Sequence, residues 1–122
     1  MRVLVTGHKG YIGTCLVPML LDQGIDVSGL DSDLFADCTF DGEVVQIPEL
    51  LKDVRDVTAG DLEGFDAIIQ LAGLSNDPLG DYDPSLTDEI NRKASVRTAT
   101  LARAVGVRRF LFASSCSNYG AA

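Results

Sequence analysis

Residues 6–13 read Thr6-Gly7-His8-Lys9-Gly10-Tyr11-Ile12-Gly13, and this stretch decides the fold. Before it, Arg2-Val3-Leu4-Val5-Thr6 is a short β-branched apolar run, the pattern of a strand buried on both faces. After it, residues 11–23 carry Ile12, Leu16, Met19 and Leu20 at helical spacing, and Gly24 fits a helix stop. A strand, a glycine turn and a helix therefore follow one another directly. In that context each glycine has a physical task. Gly7 permits a tight turn that a side chain would forbid. Gly10 lets the backbone approach a pyrophosphate, and Gly13 lets the helix pack near the strand. The first helical amides, at Tyr11 and Ile12, then face the phosphates at the positive end of the helix dipole. His8 is expected to be an exposed turn residue. Pro18 removes an amide donor inside the helix, so either a mild kink there or irregular first turns around it are expected.

Working outward, strands and helices alternate. Ile25 to Leu30 reads as a second strand ending at Asp31. Residues 31–43 are Asp-rich and read as a loop with at most a helical turn. Next come a weak strand over Glu43 to Gln46 and a helical turn over Pro48 to Leu51, with Val54 as an alternative end for a third strand. Asp66 to Leu71 is a buried strand. Residues 75–84 are a polar loop with Pro78, Gly80 and Pro84. Ser85 to Val105 is a long helix whose stripe is Leu86, Ile90, Ala94, Leu101 and Val105, closed by Gly106. Arg109 to Ala113 is a further buried strand. Strands separated by helices imply right-handed crossovers and a parallel sheet covered on both faces. The expected fold is α/β, a Rossmann-type doubly wound sheet of about five strands in the order 3-2-1-4-5, with ligands at the carboxyl ends of the strands.

Composition narrows the function. The chain has 122 residues, 46% of them hydrophobic, which suits one globular domain. Its net charge of −8 repels phosphate backbones and argues against nucleic-acid binding. The one basic cluster, Arg103, Arg108 and Arg109, reads as a complement to a helix C-terminus. No apolar run approaches the ~20 residues that span a bilayer, and the start lacks the pattern of a signal peptide. A cytoplasmic protein without membrane partners is expected. Cys15, Cys38 and Cys116 show no metal spacing and read as reduced thiols, with Cys15 a small residue on a helix. His8 is the only histidine, so neither a His-based triad nor a metal site is expected.

Asp31 closes the second strand eighteen residues past Gly13. Its carboxylate there can accept hydrogen bonds from the adenosine ribose hydroxyls and would repel the 2′-phosphate of NADP. This points to NAD as the cofactor, with Asp33 either sharing the ribose or solvated. Leu71-Ala72-Gly73 ends the fourth strand, where small residues let the backbone lie against a cofactor ribose.

The pattern T-G-x-x-G-Y-I-G near the start resembles the extended branch of the short-chain dehydrogenase/reductases, whose NAD-dependent members act on nucleotide sugars as epimerases, dehydratases or decarboxylases. The resemblance runs over essentially the whole chain and implies further roles. Asp53-Val54 resembles the pair that touches the adenine, although a solvated charge run reads equally well. Leu71-Ala72-Gly73 fits the family's [LF]-A-[AG]. Asn91 matches the Asn that supports the active-site backbone. Ser114-Ser115-Cys116-Ser117-Asn118-Tyr119-Gly120 resembles S-S-x-x-x-Y-G, which implies Ser115 as the catalytic serine and Ser114 beside the nicotinamide. Tyr119 falls in the structural Y-G element.

One departure stands out. The family's base is the Tyr of a Y-x-x-x-K motif, and no tyrosine of this sequence has a lysine four residues on. The expectation is an incomplete NAD-binding domain over residues 1–122, lacking the later strands and the sugar-binding part, and inactive alone. It is read either as the front of a nucleotide-sugar epimerase or dehydratase, or as a standalone dinucleotide-binding module that completes itself by homo-oligomerisation.

Overall fold

The computed structural model describes residues 1–33, 45–74, 83–115 and 119. The elements run β1 (Arg2–Thr6), α1 (Tyr11–Asp22), β2 (Asp26–Asp31), β3 (Glu49–Leu51), a 3-10 turn (Val54–Asp56), α2 (Ala59–Leu62), β4 (Ala67–Gln70), α3 (Pro84–Thr87), a π-helical segment (Asp88–Lys93), α4 (Ala94–Ala104) and β5 (Arg109–Phe112). The strands form one parallel sheet in the order β3-β2-β1-β4-β5. This is the Rossmann-type order expected from the alternating pattern. It brings the carboxyl ends of β1, β2 and β4 together, where the strand order reverses.

Alternation along β1 divides the interior between the two faces of the sheet. Val3 and Val5 join Val17, Val27 and Ala67 on one face, with Leu20 packed against them. Leu4 joins Leu30, Val54, Val57, Leu62, Ile68, Ala94 and Ala102 on the other. Ile90, Leu101 and Val105 of the expected long-helix stripe pack on this second cluster.

Several expectations are corrected. The inward side of α1 is Gly13, Val17 and Leu20, while Ile12 and Met19 are exposed. Gly13 must lie against the Gly7–His8 backbone of the turn, and that sets the rotation of the helix. Pro18 lies in the middle of α1 and not in irregular first turns. Cys15 lies on α1 as expected but is exposed. The third strand is Glu49–Leu51, where a helical turn was expected, and Val54 opens the 3-10 turn instead of ending a strand. Residues 45–48 have no regular structure, and the rest of the expected weak strand, Glu43 and Val44, lies outside the described residues. So do Cys38, Cys116, Ser117, Asn118, most of the Asp-rich loop and most of the polar loop at 75–84. The expected long helix is continuous but contains a π-helical segment over Asp88–Lys93. No helix among the described residues is long and apolar enough to cross a membrane.

Candidate dinucleotide cleft

The turn between β1 and α1 is built by its glycines. Gly7 takes φ +72°, donates its N–H to the Leu30 carbonyl at 2.7 Å, and lies so near β4 that a methyl group would come 2.8 Å from the Ala72 nitrogen. A methyl group on Gly13 would come 2.5 Å from the His8 carbonyl oxygen. Neither position accepts a larger residue without moving backbone. Gly10 is the N-cap of α1, no side chain caps this end, and the first turn carries no acidic residue. A helix end left this way is suited to an anion.

Beside the turn, Asp31 ends β2. Its Oδ2 accepts from the Lys9 N–H at 3.1 Å and its Oδ1 from the Asp33 N–H at 2.8 Å. A carboxylate offers about four lone-pair positions, so these bonds fix its orientation and leave acceptor capacity toward the cleft. Asp33 itself sits at φ +58°, one of the few conformations Asp tolerates better than most residues.

A cleft of about 310 Å³ opens over these carboxyl ends. Of the expected residues, Gly7, Gly10, Tyr11, Asp31, Asp53, Val54, Leu71, Ala72 and Gly73 line it together. Asp53 caps the 3-10 turn. It accepts from the Arg55 N–H at 2.8 Å and pairs with the guanidinium at 2.7 Å, and these bonds hold its carboxyl below the ordinary range. Val54 beside it is buried. Thr6 fixes the end of β4: its hydroxyl donates to Gln70 Oε1 at 3.0 Å and accepts from the Ala72 N–H at 3.3 Å.

Ile12, Gly13, Asn91, Ser114 and Ser115 are not in the lining. Asn91 acts one step behind it. Its Oδ1 accepts from the Leu74 N–H at 2.7 Å while its Nδ2 donates to the Leu74 carbonyl at 2.8 Å. The side chain thus pairs with Leu74 as a neighbouring strand would, and it holds the backbone after Leu71-Ala72-Gly73. It sits in the π-helical segment, an irregularity frequent near functional sites. Ser114 and Ser115 lie just past β5 and are exposed.

His8 is the clearest correction at the site. Far from exposed, it is 2% accessible. Gly29 of β2 has no side chain, and a methyl group there would overlap the His8 ring. The ring fills that slot, and its Nε2 lies 2.7 Å from Glu49 Oε2 on β3. Lys9 Nζ reaches Glu49 Oε1 at 3.2 Å and Asp33 Oδ2 at 3.0 Å. Burial pushes the Glu49 carboxyl up, but the hydrogen bonds from His8 and Lys9 outweigh it and hold the group below the ordinary range. The hydrogen bond to Asp33 leads the causes that raise the Lys9 ammonium. Lys9, Lys52 and Ile90 line the cleft without having been expected there. Lys9 comes with the glycine turn itself, while Lys52 follows β3 and Ile90 is brought in by helix packing, which no local residue pattern announces. Among the described residues no cluster of His, Cys, Asp and Glu could hold a metal.

Known proteins resemble this chain in sequence and fold. UDP-glucose 4-epimerase of Mycolicibacterium smegmatis is 35% identical over 94% of this chain and 39% of its own length. The crystal structure of the Thermus thermophilus UDP-glucose 4-epimerase in complex with NAD superposes with a TM-score of 0.77 at 32% identity, over 94% of this chain and 38% of that one. UDP-glucose-4-epimerase from Stenotrophomonas maltophila, with bound NAD and formylated UDP-arabinopyranose, gives a TM-score of 0.85 at 29% identity, over 98% and 38%. The chain thus spans about two fifths of the length of these relatives. The profile of the NAD dependent epimerase/dehydratase family matches residues 3–122. With the sheet order and the glycine turn already in place, that match assigns the chain: it belongs to the NAD dependent epimerase/dehydratase family.

Proposed function

We propose that this chain is the NAD-binding portion of a nucleotide-sugar epimerase or dehydratase, and that residues 1–122 form its incomplete dinucleotide-binding domain. One observation carries the reading. The Asp31 carboxylate is fixed by two backbone N–H groups at the end of β2, in the same cleft as the open N-terminal end of α1. An anion-accepting helix end beside a ribose-accepting carboxylate is the combination a dinucleotide requires. The residues that line the cleft are of the kinds NAD would need. Gly10 and the first-turn amides of Tyr11 and Ile12 take the pyrophosphate, with Gly7 and Gly13 allowing the close approach. Asp31 takes the adenosine ribose. Asp53 and Val54 border the adenine, and Leu71, Ala72 and Gly73 lie along the cofactor's other half. NAD, when bound, supplies the redox chemistry by accepting a hydride from the sugar and returning it.

The protein's own part is binding and orientation. Asn91 holds Leu74 and with it the backbone floor of the cleft. Ser115 is the candidate catalytic residue: its hydroxyl donates to the sugar oxygen at the reacting carbon, while Ser114 borders the nicotinamide. No tyrosine here has a lysine four residues on, so a phenol base paired with an ammonium is not supplied by this sequence. By itself the chain binds NAD without turning over nucleotide sugars.

Isothermal titration with NAD and NADP tests the reading. NAD is expected to bind at least about tenfold more tightly, the scale of a single hydrogen bond to a charged group. Equal affinities would remove the role of Asp31, and no binding of either would leave only the family and the fold.

A further inference from the structure

Among the described residues, the cations lining the cleft are Lys9 and Lys52. Both are paired with carboxylates. Lys52 Nζ lies 2.7 Å from Asp61 Oδ2, and Lys9 Nζ lies 3.0 Å from Asp33 Oδ2 and 3.2 Å from Glu49 Oε1. Lys9 is the more telling of the two, because its own backbone N–H bonds the Asp31 carboxylate. An ammonium carried by the same residue whose N–H bonds the ribose-recognising carboxylate, and lining the same cleft, is by its chemistry a partner for a phosphate on that ribose. Asp31 alone therefore leaves the choice between NAD and NADP contested at this rim.

We propose that Glu49 is a specificity-determining residue that acts through Lys9: held by buried His8, it joins Asp33 in withholding the Lys9 ammonium from a ribose 2′-phosphate. The proposal rests on the NAD-binding reading above. Glu49 lies on the edge strand β3, outside the cleft lining, and divides its two oxygens between His8 and Lys9. It is placed by the strand register, which sets Glu49 opposite Gly29, and by the slot that Gly29 leaves for the His8 ring. The Glu49 carboxyl is held below its ordinary range and the Lys9 ammonium above, so both are charged at neutral pH. With Asp33 and Glu49 both engaging it, the Lys9 ammonium makes no hydrogen bond to a 2′-phosphate, and the Asp31 carboxylate at the ribose position repels one. His8 is a positioning residue here. It lies against the far oxygen of Glu49 and fixes the orientation of that carboxylate.

Titrations of the whole chain with NAD and NADP, with thermal unfolding of each variant recorded alongside, test this. Glu49→Gln with Asp33→Asn is expected to raise the NADP/NAD affinity ratio by about tenfold or more, the scale of one charge-assisted hydrogen bond. Adding Lys9→Met to that variant is expected to abolish the gain. Lys9→Met alone is expected to leave NADP affinity within about twofold of wild type, because a withheld ammonium has nothing to lose. A ratio that stays fixed in a folded double variant overturns the proposal, as does a gain that survives Lys9→Met. Should the double variant not fold, a clear loss of NADP affinity in Lys9→Met alone also overturns it. If the wild-type chain binds neither dinucleotide, the NAD reading falls and takes this one with it. If it binds NAD and the ratio does not move, only the selectivity proposal falls.

Discussion

At the residue scale, the cleft depends on a few carboxylates whose lone pairs are already partly assigned. Asp31 commits one hydrogen bond to each flanking segment, at Lys9 and Asp33. Asp31→Asn keeps its size and one carbonyl acceptor but removes the charge and turns the other oxygen into a donor facing a backbone N–H. NAD affinity is expected to fall about ten- to hundredfold, with NADP affinity changing less, so titration should show the ratio narrowing. His8 makes the complementary point about what a sequence discloses. Its glycine-turn setting says "exposed loop", yet its partner Glu49 is 41 residues away and its slot comes from the missing side chain of Gly29. Neither fact is local, so no local pattern discloses it. The backbone requirements of Gly7 and Gly13 were legible because they follow from the turn these residues sit in, and the place of Asp31 was legible because it closes the apolar run of β2. His8→Ala leaves the slot empty and removes a hydrogen-bond donor from Glu49. It is expected to destabilise the fold by about 1–3 kcal/mol in chemical denaturation.

At the element scale, the readable parts were those with a strong apolar run closed by a glycine or a polar end. β1, β2, β4 and β5 all answer to that description, although β5 was expected to be buried and none of its residues is. β3 does not. Its three residues are all exposed, and it exists because the β2 ladder offers it a register. The π-helical segment escaped for another reason: its apolar residue Ile90 still falls on the stripe that a regular helix would show. Its consequence is Asn91, which pairs with both polar groups of Leu74. Asn91→Asp can still accept from the Leu74 N–H but sets a carboxylate against the Leu74 carbonyl. It is expected to cost about 1–3 kcal/mol, comparable with Asn91→Ala, in urea unfolding. Asp61 governs α2 in a similar way. It accepts from the Thr58 N–H at 2.9 Å in a capping box and pairs with Lys52. Burial pushes its carboxyl up, but the hydrogen bonds from Lys52 and Thr58 outweigh it, and the folded value lies below the ordinary one. A group depressed on folding contributes stability above its unfolded value and loses it as pH falls through the folded value. Asp61→Asn is therefore expected to be less stable than wild type at pH 7, by about 1 kcal/mol. The gap should close as pH drops below about 4. A gap unchanged across that range would mean that the charge of Asp61 contributes nothing to α2.

At the scale of the whole molecule, the sheet is unevenly finished. On its β3 side it ends in three residues beside a network of ion pairs. On the other side, among the described residues, β5 pairs only with β4, and Leu111 and Phe112 are about half exposed on opposite faces of the sheet. Relatives in which this chain covers only about two fifths of the length have much more protein with which to cover such surfaces. An open parallel edge with apolar residues on both faces favours pairing with another copy. The net charge of −8 opposes close approach of two copies, and salt screens that repulsion beyond about 10 Å at 0.1 M. The expected outcome is therefore a chain whose self-association grows with both concentration and salt. Sedimentation velocity at low and moderate ionic strength measures it directly. Leu111→Lys lies on the side of β5 where the residue is already half in water, so its cost to folding is small, while a charge on the edge discourages pairing. This variant should remain folded and stay monomeric under conditions where the wild-type chain associates. If it associates as wild type does, contacts between copies form elsewhere, and β5 is not the surface through which the chain seeks a partner.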